Sequence, residues 1–250
     1  MIRNMNRLII LAFLASVLWA CKQRPKVSPA DRTVEANVET SNSKYSTINL
    51  KFINPIVLDS SDWIMYPLTI EELEETEKGL KSSSYGRQYA YWNIAFYNTE
   101  SKQTRLLSDS LKMLVNSISP KNEVIIQSGQ RKQKNVGHIY YSITTKDFTQ
   151  DGKLNSDDPE YLFISDLSGQ NFKQVSPDNF DLIHWQTILE TNKIIIQVRK
   201  DINKDKKFDN DDEIISFIYD IDNQRIEQVF RDEFILMTKK LLDNQWTKKK

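Results

Sequence analysis

From about residue 47 onward the apolar residues of this chain come in short runs rich in Ile, Val, Phe and Tyr. Ile56–Leu58, Ala90–Tyr97, His138–Ile143, Tyr161–Ile164, Ile194–Val198 and Ile214–Tyr219 are such runs. Their length and their β-branched or aromatic character predict strands rather than helices. One order recurs at three places: an aromatic-rich strand, a polar turn, then a second strand. The copies are Tyr91–Tyr97 before Thr104–Ser108, Tyr161–Asp166 before Phe172–Pro177, and Ser216–Asp220 before Arg225–Val229. Recurrence at this spacing predicts stacked supersecondary units, over about 45–108, 109–177 and 178–230. Two segments break the pattern. Thr69-Ile70-Glu71-Glu72 has the form of a capping box and predicts a short helix ending near Gly79. Residues 232–247 place Phe234, Met237, Leu241, Leu242 and Trp246 at helical spacing, predicting a C-terminal helix.

The middle copy, Ile164-Ser165-Asp166-Leu167-Ser168-Gly169-Gln170-Asn171 leading to Gln174-Val175-Ser176-Pro177, resembles the repeat of TolB-type β-propellers. Trp185 stands where such repeats begin the next blade. The resemblance implies an all-β fold of about three antiparallel, propeller-like blades over residues 45–250. Closed propellers need four to eight blades, so three leave an open arc. The apolar face of the C-terminal helix is expected to cap that arc. Two chains combining into a six-bladed homodimer are the alternative.

At the other end, Arg3 and Arg7 precede an apolar stretch from Leu8 to Trp19. That stretch is too short to span a bilayer, which takes about 20 residues, and suits the apolar region of a signal peptide over residues 1–20. Leu18-Trp19-Ala20-Cys21 resembles the bacterial lipobox. The resemblance implies cleavage before Cys21 and its modification by fatty acyl chains such as palmitate. An uncleaved anchor or ordinary secretion is the plainer reading. Lys22-Gln23-Arg24-Pro25-Lys26 holds no acidic residue, and resemblance to sorted lipoproteins then implies the outer membrane, facing the periplasm. In a Gram-positive organism the anchor would sit in the single membrane. Residues 22–44 are polar and without apolar period, and read as a tether with a reach of roughly 25–30 Å.

Composition narrows the chemistry. The 34 Lys and Arg balance 34 Asp and Glu, so no global charge calls for nucleic acid. Loss of Arg3 and Arg7 with the leader leaves the mature chain slightly acidic, with no overall electrostatic hold on anionic lipid. A single cysteine excludes a disulfide framework and a Cys-rich zinc site. Six glycines and two histidines leave little for phosphate loops or imidazole chemistry.

Two acidic segments carry the strongest chemical signal. They run from Asp147 to Asp158 and from Asp201 to Asp212, and both resemble the EF-hand calcium loop in its dockerin-like form, with Asp at the twelfth position. Calcium takes six to eight oxygens, which such a loop supplies from positions 1, 3, 5, 7, 9 and 12. The resemblance implies Asp147, Thr149, Asp151, the Lys153 carbonyl, Asn155 and Asp158 as ligands in the first loop. In the second it implies Asp201, Asn203, Asp205, the Lys207 carbonyl, Asp209 and Asp212. Leu154 and Phe208 take the apolar eighth position. Lys206 occupies the place of the usual glycine, where a left-handed backbone costs about 1 kcal/mol. With short twelfth-position Asp side chains, dissociation constants on the order of 10⁻⁴–10⁻³ M are expected. The strand-like flanks predict a calcium that braces a hairpin rather than opening a helix pair. The plain alternative is a polar hairpin loop, with Lys204, Lys206 and Lys207 neutralising the second.

No Gly-x-Ser-x-Gly, Walker or His-Glu-x-x-His motif is present. His138 and His184 lie in strand-like runs and read as packed residues. Trp63, Trp92 and Trp185 read as core rather than as a sugar-binding face, and Arg131-Lys132-Gln133-Lys134 as a solvated loop. These features predict a non-catalytic, lipid-anchored module that binds an envelope protein. A glycan-binding or glycan-hydrolysing lipoprotein is the alternative, recognisable by an aromatic cleft between two carboxyl groups.

Overall fold

The computed structural model describes residues 49–59, 61–70, 90–127 and 130–246. The leader, Cys21 and the tether lie outside these residues, as does the body of the helix expected before Gly79.

The first sheet contains β1 (Leu50–Phe52), β2 (Ile56–Val57), β3 (Trp63–Ile70), β4 (Asn93–Asn98) and β5 (Thr104–Leu106). Its order is β1-β3-β4-β5, with β2 also pairing β3. The second contains β6 (Leu114–Gln127), β7 (Gln130–Thr144), β8 (Glu160–Asp166) and β9 (Lys173–Gln174) in chain order. The third contains β10 (Asp181–Ile188), β11 (Lys193–Lys200), β12 (Glu213–Asp220) and β13 (Arg225–Gln228), again in chain order. Every pairing is antiparallel. The three sheets fall within the three units expected from the repeats, and the recurring strand–turn–strand is the last hairpin of each sheet. A helix, α1 (Asp232–Trp246), follows.

Around Ile139–Ile143 of β7 and Tyr161–Ile164 of β8 the second sheet is buried on both faces, which is why these two strands read as unbroken apolar runs rather than alternating ones. Side chains along a strand point alternately to opposite faces. Ile139, Tyr141, Ile143, Tyr161 and Phe163 therefore meet Met65, Ile94 and Phe96 of the first sheet in one core. Tyr140, Leu162 and Ile164 meet Ile194, Ile196 and Val198 of the third sheet in another. Full burial of each aliphatic side chain contributes about 1.5–3 kcal/mol before entropy is counted. Neither core joins the first sheet to the third, so the arc is open. Tyr91 and Val115 also exchange both backbone hydrogen bonds (2.9 and 2.8 Å), tying the first sheet to the second.

Several expectations change. No residue of α1 is buried, so the helix does not cap the arc. β3 ends with Thr69 and Ile70, and the Thr69 hydroxyl donates to the Ala90 carbonyl (3.4 Å), while Glu71 and Glu72 of the expected capping box lie outside the described residues. Residues 131–134 are not a loop, because their backbone pairs with Glu123–Ile126 in the long β6–β7 hairpin. β3 was hidden by Pro67. This proline sits between the stretches of β3 that β2 and β1 pair, and its carbonyl accepts from the Ile53 N–H (2.9 Å). A proline N without hydrogen is tolerated in such a gap.

Candidate functional site

Both acidic segments connect the second and third strands of their sheets, one joining β7 to β8 and the other β11 to β12. The flanking pairs, Thr144 with Glu160 and Lys200 with Glu213, close each loop as a hairpin insertion. Between them the two loops take the same path. Left-handed residues stand at position four (Gln150, φ 65°; Lys204, φ 62°) and position six (Gly152, φ 85°; Lys206, φ 65°). Lys206 thus adopts the glycine-type conformation, as expected.

The hydrogen bonds repeat as well. At position one, Asp147 Oδ2 accepts from Gly152 N (2.8 Å) and Asp201 Oδ2 from Lys206 N (3.1 Å). At position five, Asp151 Oδ1 accepts from Lys153 N (2.8 Å) and Asp205 Oδ1 from Lys207 N (2.9 Å). At position nine, Asn155 Oδ1 accepts from Asp157 N (2.8 Å) and Asp209 Oδ1 from Asp211 N (2.9 Å). At position twelve, Asp158 accepts from Phe148 N (2.8 Å) and Asn155 N (3.2 Å), and Asp212 from Ile202 N (3.0 Å) and Asp209 N (3.1 Å). The twelfth-position carboxylates are the buried ones, Asp158 at 4% and Asp212 at 9% exposure. Burial of a carboxylate is tolerated when backbone N–H groups surround it.

Ligand-type side chains also touch one another. Asn155 Nδ2 donates to Asp151 Oδ2 (2.9 Å), Thr149 Oγ1 to Asp158 Oδ1 (3.2 Å) and Asn203 Nδ2 to Asp205 Oδ2 (3.2 Å). The donor set is therefore oxygen-rich, as calcium requires, and spread along each loop. Among the described residues, however, no three His, Cys, Asp or Glu side chains converge in a way that could hold a metal ion. The carboxylates are turned onto the N–H groups of their own loops instead.

The loops meet each other. The rings of Phe148 and Phe208 lie 5.1 Å apart, and Lys206 Nζ donates to Gln150 Oε1 (2.6 Å). Phe208 thus packs across to the neighbouring loop and joins neither main core. A cleft of about 600 Å³ lies here, lined by Asp157, Asp158, Asp181, Asp205, Lys206 and Asp209 among others. Asp181 of this lining and the adjoining Glu160 were not singled out in the sequence, and both are half-buried. Glu160 accepts from the Ser142 hydroxyl, and its backbone N–H donates to Asp181 Oδ1 (3.0 Å). Burial pushes both carboxyls above the usual range, and burial pushes the Tyr161 phenol up to about 12. Asp178 goes the other way, lowered first by its hydrogen bond from Lys146 (2.9 Å).

The remaining candidates scatter. Trp63 packs against the first core, and Trp185 stacks on Tyr140 with centroids 4.6 Å apart. Trp92 departs from the expected core placement, being 39% exposed. His184 is exposed too, because the register shift between Leu182 and His184 turns Ile183 and His184 outward. Half-buried His138 lies on β7, far along the strand from the acidic loop.

No protein-family model and no curated protein matches the chain. Among solved structures it is similar to one described as a putative TolB from Agrobacterium tumefaciens, at 12% identity and a TM-score of 0.26. The likeness covers 66% of this chain and 61% of that one. The strand pairing and the two cores define an open array of three antiparallel β-blades.

Proposed function

We propose that this protein is a non-catalytic, lipid-anchored envelope protein whose β-blades serve as a binding or scaffold module. In this reading Cys21 carries the acyl chains, the tether lifts the blades from the outer membrane into the periplasm, and an envelope protein is the partner. Each acidic loop takes up a calcium ion that stiffens its end of the blade. One observation supports this best: two loops of different sequence share one backbone path and one pattern of carboxylate acceptors. Binding would need the side chains of Asp151, Asn155, Asp205 and Asn203 to release one another and turn to the ion. That rearrangement fits weak, structural sites.

The test is calorimetric unfolding in calcium and in chelator, followed by capture of partners from solubilised membranes under both conditions. Calcium at ten times its dissociation constant should raise stability by about 1.4 kcal/mol per loop. Identical melting in calcium and chelator would remove the metal, and capture independent of calcium would separate the scaffold role from it.

The glycan alternative finds less support. Trp63 and Trp185 pack against the two cores, and Trp92, just before β4, is the exposed one of the three.

A further inference from the structure

α1 is amphipathic, yet none of its residues is buried against the blades. At about 100° per residue, Phe234, Met237 and Leu241 fall beside Ile235, Leu242 and Trp246 on one arc of about half the circumference. Thr238 and Gln245 interrupt that arc, and Thr238 turns its hydroxyl back onto the Phe234 carbonyl (2.9 Å). Leu236 lies outside it. Phe230 extends the patch by stacking on Phe234 at 5.2 Å. Trp246, at the border of the arc, is 79% exposed.

Charge is distributed along the helix as well as around it. Asp232 and Glu233 occupy the first turn, which suits the helix dipole. From Thr238 onward the sequence carries Lys239, Lys240, Lys248, Lys249 and Lys250 against Asp243. A chain that is neutral overall thus has a local cationic excess in the sequence that carries this exposed apolar patch.

Phe234, Met237 and Leu241 follow the three- and four-residue spacing of a two-helix seam, but polar Asn244 breaks that stripe and Ile235, Leu242 and Trp246 widen the arc beyond it. A broad apolar arc, a tryptophan at its edge and flanking lysines suit a helix lying in a lipid headgroup layer. Lysines beside an anionic surface add attraction that salt screens. We propose that α1 lies in the surface of an anionic lipid bilayer, with Phe234, Met237, Leu241, Leu242 and Trp246 facing the acyl chains. This contact does not depend on acylation of Cys21 and would give the blades a second point of attachment.

The test uses the full chain carrying Cys21→Ser and Asn244→Cys, labelled at residue 244 with an environment-sensitive fluorophore. The label reports the helix locally, whatever the leader does. Vesicles of mixed phosphatidylcholine and phosphatidylglycerol should brighten and blue-shift the label, and phosphatidylcholine alone should not. Lys239→Glu with Lys240→Glu, both exposed and outside the blades, should weaken the response about tenfold or more. Met237→Asp with Leu241→Asp should abolish it while the β-sheet circular dichroism stays unchanged. A response equal in both vesicle types and indifferent to the lysines would overturn the proposal. So would a response that needs no vesicles and grows with protein concentration, which would assign the apolar face to a second copy. An unacylated Cys21 in the native protein would leave all of these outcomes as they stand.

Discussion

Gly169 meets Phe96 with no room for a side chain: a Cβ there would lie 2.5 Å from the ring's Cε2. The glycine is also left-handed, at φ 77°, in the turn between β8 and β9. The bare Cα is therefore where the second sheet's last hairpin docks on the first sheet. Gly169→Ala should cost about 2–4 kcal/mol, from backbone strain and displacement of a buried ring. Gly152→Ala, at a left-handed site with nothing within 4 Å of the added carbon, should cost only about 1–2 kcal/mol. Denaturant unfolding of the two variants measures the difference.

Lys206 holds a glycine conformation without being glycine. Lys206→Gly should relieve about 1 kcal/mol of strain, offset in part by the freer unfolded chain, so stability should change by less than about 1 kcal/mol. Calcium affinity of the second loop should nonetheless rise several-fold, because the substitution removes a cationic side chain from the loop that would receive the ion. Titration calorimetry on the variant and the parent checks this.

Asp158 gathers Phe148 N, Thr149 N, Thr149 Oγ1 and Asn155 N on its carboxylate. Asp158→Ala strands those donors in a partly buried loop and should cost about 2–4 kcal/mol, in chelator as well as in calcium. A loss seen in calcium alone would mean that the N–H bonds contribute little.

Glu160 and Asp181 have folded-state pKa values above their unfolded values of 4.5 and 3.8. Over the window from those unfolded values up to the raised ones, the folded chain binds more protons than the unfolded chain. Stability contributed by these groups is present at low pH and is lost as pH rises through that window. Glu160→Gln keeps an acceptor for the Ser142 hydroxyl and removes the buried charge. It should flatten this part of the stability–pH curve and raise stability at neutral pH, measured by urea unfolding across pH.

Phe148 and Phe208 join the two loops. A double-mutant cycle with Phe148→Ala and Phe208→Ala should return a coupling of about 0.5–1.5 kcal/mol. A coupling near zero would make the loops independent in stability.

Runs of strong aromatic and β-branched character, such as Tyr161–Ile164 and Ile194–Val198, were legible from residue type alone; the first is apolar throughout because both of its faces are covered, and the second alternates in burial. β3 and β6 were less so, since Pro67 and Pro120 interrupt them and the compensating gap and register shift are made by partner strands. The two loops were visible through residue type and spacing, which are local properties. Contacts between the loops, the Gly169–Phe96 contact and the burial of Glu160 depend on how one sheet is set against the next. The C-terminal helix was legible as a helix, but its apolar stripe gave no hint that the blades leave it uncovered.

Around β7 and β8 the middle sheet is covered on both faces, whereas each outer sheet is covered on one. Unravelling must therefore begin at the flanks: peeling away either neighbour strips one wall from β7 and β8, and losing both leaves a ribbon that water dissolves. The arc has weak ends and a strong centre, and amide protons on Tyr140, Tyr141 and Leu162 should be the last to trade with solvent.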